Sequence, residues 1–186
     1  FLFERKKINA ATKFFCKSTV LNNYNNEAQV NLAYSLLVKK YFPIGWEKHE
    51  YRWHVDPLNK VQWPIKNREL WVGQKDKRIV LWREQGIGDL IIFLSLVPEA
   101  FDISKTLSVY IDPRLIPLCT RSMPGINFKP YTPGNFDGEE FDFHLPMGSL
   151  PRLFRSSEKD FDKVKRGYLK TDPERVELLR DELGLR

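Results

Sequence analysis

Apolar positions change their period once along the chain, near residue 78, and the change divides it into two kinds of structure. Over residues 8–21 an apolar stripe through Phe14, Phe15 and Leu21 predicts a helix, which the Asn-rich run at 22–26 interrupts. Over 27–40, Ala28, Leu32, Ala33, Leu36 and Leu37 keep helical spacing and predict a second helix. Phe42-Pro43 is expected to close it, because a residue before proline avoids the helical region. A third, shorter helix over 44–53 would set Trp46, His49 and Trp53 on one face. Helix, short turn and helix at these lengths match a TPR unit, of which about one and a half would be present. Residues 57–77 lose periodicity around Pro57, Pro64 and Gly73, with Trp63 and Trp71 as packing anchors.

From residue 78 the pattern becomes strand and helix in alternation. Ile79-Val80-Leu81-Trp82 is a short continuous apolar run of the kind buried on both faces of a parallel sheet. A turn at 84–89 leads to a helix over 90–101, and a second strand is expected at 107–111. Asp112-Pro113 supplies an N-cap and a first-turn proline for the next helix. Strands near 127–129 and 141–145 follow, then a helix from Asp172-Pro173 to Leu183. This is the α/β signature. The organisation read from the pattern is a helical segment at 1–56, a connector at 57–77 and a Rossmann-like parallel sheet with flanking helices over 78–186.

Composition narrows the function classes. The 186 residues carry a net charge of +6, but the basic residues are interspersed with acids, which argues against nucleic-acid binding. No run approaches the roughly 18 apolar residues of a membrane span. Cys16 and Cys119 form no C-x-x-C pair, and His49, His54 and His144 lack metal-site spacing, so reduced cytoplasmic thiols and no metal are expected. Phe1 in place of Met, and an abrupt finish after Gly184, read as the cut ends of a longer frame.

Two clusters could carry chemistry. Glu84-Gln85-Gly86-Ile87-Gly88-Asp89 falls at the carboxyl end of the first strand and the start of a helix, where α/β sheets place ligands. The glycines would admit a ligand close to the backbone, and Asp89 or Glu84 could act as general base towards a hydroxyl. Asp89 is equally an N-cap candidate, and Glu84 a loop carboxylate. A dinucleotide fingerprint fails because Ile91 stands at its third glycine position, and Asp112 reads better as a cap than as a ribose ligand. In the second cluster, His144 lies near the carboxyl edge of its strand, where it could meet a sugar hydroxyl or serve the fold, and Ser149 has no spaced triad partner.

Taken in order, these residues resemble a bacterial family of TPR-linked glycosyltransferases. Phe42-Pro43-Ile44-Gly45-Trp46-Glu47-Lys48-His49-Glu50-Tyr51-Arg52-Trp53 is similar to the family's "GWxxYExRW" helix, and Leu70-Trp71-Val72-Gly73 to its "P.W.G" connector. Glu84 to Asp89 matches "EQGxGD", Pro124-Gly125-Ile126 matches "PGV", and Phe141 to Pro151 matches "FDxHxPLxSLP". The chain departs from the family at Leu90 and Ile92, apolar where polar residues are usual, and at His49 in place of tyrosine.

The resemblance implies the N-terminal half of a GT-B core, two Rossmann-like halves around a cleft, related in arrangement to heptosyltransferases and O-GlcNAc transferases. It makes Asp89 the candidate base and Glu84, Gln85, Gly86, Gly88, His144 and Ser149 candidate substrate contacts. It further implies a nucleotide-sugar donor held mainly by a second half, no metal, and a glycan or protein acceptor. A protein partner could dock on the helices. The rival expectation is a non-catalytic interaction module carrying an α/β scaffold.

Overall fold

A computed structural model describes residues 7–55, 65, 68–133, 136, 138–163 and 167–185. It divides into two compact units, residues 1–66 with 148–163, and residues 67–147 with 164–186. Residues 148–163, which follow the last strand, therefore group with the helices, and the chain from 164 onward returns to the sheet unit.

The helical unit opens with α1 (Ile8–Leu21), α2 (Asn26–Val38) and α3 (Phe42–His49), followed by a 3-10 turn at Glu50–His54. Asn25 caps α2 by accepting from the Ala28 amide at 3.0 Å, which satisfies one of the helix's unpaired N–H groups. The expectation that Phe42-Pro43 ends α2 is corrected. Lys40, at φ 63°, turns the chain first, and Pro43 sits in the first turn of α3, where its missing N–H costs nothing. Against α2, Gly45 of α3 leaves no room for a side chain, because a Cβ there would stand 2.7 Å from Leu37 Cδ2. The unit is completed by α7 (Leu150–Phe154), which packs on α3. The Trp46 indole donates to the Arg155 carbonyl at 2.9 Å, and the Phe42 ring lies 4.9 Å from that of Phe161.

The α/β unit is a four-stranded parallel sheet of β1 (Arg78–Trp82), β2 (Thr106–Ile111), β3 (Asn127–Pro130) and β4 (Phe143–Pro146), ordered β3-β2-β1-β4. Its centre is the core of the unit: Val80, Leu81, Trp82, Val109, Ile111 and Leu145 have no exposed surface. That double-sided burial explains why β1 reads as an unbroken apolar run. The free edge of β4 is met by the end of the connector, where Trp71 N–H donates to the His144 carbonyl at 2.8 Å. Trp71 is wholly buried, as a packing anchor should be, whereas Trp63 lies outside the described residues.

The single helix expected at 90–101 is two, α4 (Ile87–Leu94) and α5 (Val97–Ile103). Pro98 explains the break, since its ring collides with the carbonyl four residues back and it offers no N–H. After β2, Asp112 caps a 3-10 turn at Pro113–Leu115 that runs into α6 (Ile116–Ser122), and α8 (Pro173–Glu182) begins at the expected Asp172 cap.

Candidate active site

The strand order places the chain reversal beside β1. From β1 the chain steps outward through β2 to β3, then returns to β4 on the opposite side of β1. In open α/β sheets, ligands bind outside the carboxyl ends of strands at such a switch point. The turn between β1 and α4 lies at this position and contains residues 83–86.

Arg83 continues the ladder for one more bond, its N–H donating to the Tyr110 carbonyl at 3.0 Å. The chain then leaves the sheet through Glu84 and Gln85, both half-buried, to Gly86, the cap residue of α4. Gly86 has no side chain to cap with, so the first amides of α4 keep their N–H groups directed outward with the positive end of the helix dipole behind them. Asp89 lies in the first turn of α4 and is exposed. Its carboxylate makes no hydrogen bond or ion pair among the described residues. It is thus a first-turn acid favoured by the dipole, and not the N-cap.

Neither glycine of this turn is required by the fold. Gly86 has φ −63°, ψ 170°, an ordinary extended conformation, and an added Cβ would lie 3.7 Å from Asp89 Oδ2, a normal contact. At Gly88 an added Cβ would meet nothing within 4 Å. Both are exposed. Of the three departures from the family pattern, Leu90 and His49 are buried and Ile92 is 66% exposed.

His144 and Ser149 are placed differently. His144 has no exposed surface; its Nδ1 accepts from the Trp82 indole at 3.0 Å, which leaves the proton on Nε2, and its backbone is bonded to Glu69 and Trp71. Burial pushes its pKa down to about 4, so the ring is neutral near pH 7. Ser149 is also sealed: its hydroxyl donates to Glu50 Oε2 at 2.9 Å and accepts from Arg52 Nη2 at 2.8 Å. As placed, both side chains are buried and engaged by protein groups. The structure brings Glu84, Gln85, Gly86, Gly88 and Asp89 together where β1 passes into α4, while His144 is an interior polar group of β4 and Ser149 one of the helical unit.

Asp112, the alternative ribose ligand, is committed as well. It is 6% exposed, caps the turn that follows β2, and pairs with Arg114 and Arg83. The hydrogen bonds and charge of Arg114, joined by Arg83, hold its carboxyl well below the usual range. Arg83 itself carried no signal in the sequence beyond standing between a strand and a glycine turn. Among the described residues no three His, Cys, Asp or Glu side chains gather as a metal site, and no helix is long and apolar enough to cross a membrane.

Fold and site together define an α/β chain whose parallel sheet opens a glycine turn and an exposed carboxylate at its switch point. Among characterised proteins it is similar to protein FlbA of Caulobacter vibrioides, at 27% identity over 149 residues, covering 71% of this chain and 25% of FlbA. The chain thus spans about a quarter of the length of that relative. No protein-family model matches it, and no solved structure does.

Proposed function

We propose that this chain is the acceptor-side half of a GT-B glycosyltransferase core preceded by TPR-like helices. The observation that carries the reading is the pair Gly86 and Gly88: two side-chain-free positions that neither backbone conformation nor packing demands, beside an exposed acid at a switch-point helix terminus. Open space of this kind suits a ligand that approaches the backbone closely.

In the proposed reaction, Asp89 takes the proton of the acceptor hydroxyl as that oxygen bonds to the anomeric carbon of a nucleotide sugar. The bond from that carbon to the donor phosphate breaks, and the nucleoside diphosphate leaves with the electron pair. The α4 amides and Glu84 or Gln85 would bind the acceptor. The donor would be held by a second half, with no metal required. His144 and Ser149 enter this reading as supports of the fold.

The test is Asp89→Asn in the full-length protein, assayed for transfer from a panel of nucleotide sugars by mass spectrometry. Loss of a positioned general base lowers turnover by about 100-fold to 10,000-fold. Unchanged transfer removes Asp89 from the mechanism.

A second reading, a non-catalytic interaction module, has its own support in the helical unit. Val20 and Leu21 of α1 are 79% and 76% exposed and line a groove with Lys13, Cys16 and Lys17, and Phe14 of the same helix is 64% exposed. Apolar side chains exposed together suit a protein partner. Partner capture lost in Val20→Asp, with no transfer from any nucleotide sugar by the unaltered protein, would favour it.

A further inference from the structure

The turn that leads into α4 and Asp89 is tied to the sheet by the Arg83 side chain. The Arg83 guanidinium reaches in two directions: Nη1 donates to Asp112 Oδ2 at 2.6 Å, and Nη2 donates to the Gln85 carbonyl at 3.1 Å. Asp112 is itself immobilised, because its other oxygen accepts from the Arg114 amide at 3.1 Å and from Arg114 Nε at 2.9 Å. The chain of bonds therefore runs from the end of β2, through a fixed carboxylate and a fork-shaped cation, to the carbonyl one residue before the cap of α4. The two glycines add no tether of their own: Gly86 offers no side-chain cap, and a Cβ added at Gly88 would meet nothing within 4 Å.

From this geometry we infer that Arg83 is a positioning residue: it fixes the path of residues 84–88 and so the place from which Asp89 acts. The inference rests on the catalytic reading of Asp89 for its functional part, while its structural part stands alone. A planar guanidinium bonds a carboxylate and a carbonyl at once through separate nitrogens. Lysine, with a single nitrogen at its tip, cannot reproduce that fork.

Two measurements test it. Backbone 15N relaxation on the chain reads the turn directly. In Arg83→Met, order parameters of residues 85–89 should fall from about 0.85 to below about 0.6, with β1 and β2 unchanged, and Arg83→Lys should lie between. A turn as rigid in Arg83→Met as in the unaltered chain overturns the inference. In the full-length protein, Arg83→Met should lower kcat by about tenfold or more with little change in KM, as loss of placement at the reacting centre does. A loosened turn with unchanged kcat overturns the functional part. If Asp89→Asn leaves transfer intact, the catalytic reading fails separately, and the relaxation result still decides whether Arg83 holds the turn.

Discussion

The helical unit and the β1–α4 turn both contain glycine and a carboxylate, and they use them in opposite ways. Gly45 is a packing necessity, with Leu37 pressed against the place a Cβ would occupy, whereas a Cβ at Gly86 would make only an ordinary 3.7 Å contact with Asp89 and one at Gly88 would face open space. Glu50 is spent on Arg52 and Ser149, and Asp89 is engaged by no described residue. In the first region the carboxylate is drawn into internal bonds, and in the second Asp89 is left exposed. The fold gains little from the second arrangement beyond the helix dipole's preference for an acid in the first turn of α4. An exposed acid beside unneeded glycines is therefore a better pointer to chemistry than a buried histidine or serine within a familiar motif.

The comparison can be broken first at Arg52. Its side chain is 1% exposed and bonded to Glu50, Ser149 and the His49 carbonyl. Arg52→Ala should cost about 3–5 kcal/mol in denaturant unfolding, the range for removing one partner of a buried pair. A loss near zero would mean that the cluster is not sealed.

Acid should act on the same interior groups. Burial lowers the pKa of His144 from 6.5 to about 4, and burial followed by the Arg52 charge lowers His49 to about 3. Both rings are neutral when folded and protonate more readily when unfolded, so their contribution is complete above 6.5 and is lost as pH falls below it. For His144 alone the loss on reaching its folded pKa is about 3 kcal/mol. Unfolding free energies at about pH 7 and about pH 4.5 check the sign, and His144→Gln should flatten the slope.

Smaller effects divide the glycines. Gly45→Ala should destabilise by about 1–3 kcal/mol through overpacking against Leu37. Gly88→Ala should be neutral or stabilise by up to about 1 kcal/mol, because alanine is the better helix former and meets no neighbour. Equal costs at the two positions would erase the distinction drawn between them.

The period of apolar residues made the element types legible. The helix over 8–21, the buried β1 and the Asp112 and Asp172 caps follow from local rules that tertiary structure did not override. Pro98 within the α4–α5 stretch was as visible as any other residue, but the strength of the apolar pattern around it masked the break. Burial was less legible. Alternation in β4 assigns faces, yet it does not reveal that β1 covers one edge and the Leu70 segment the other, which is what closes the interior over His144. Ser149 finds its partners 97 and 99 residues away in Arg52 and Glu50, a pairing that no local spacing encodes. The glycines carry the same letter in both settings, and only the neighbouring atoms separate a contact from a vacancy. Arg83 escaped notice for a related reason, since its value lies in reaching two places at once.

The most direct test of the central claim is a side chain placed in that vacancy. If the proposed transferase reading holds, Gly88→Leu in the full-length protein should leave the unfolding midpoint no lower than that of the unaltered protein and abolish transfer from nucleotide sugars. Full transfer with leucine at position 88, or a loss of transfer that merely tracks a loss of stability, would contradict the account.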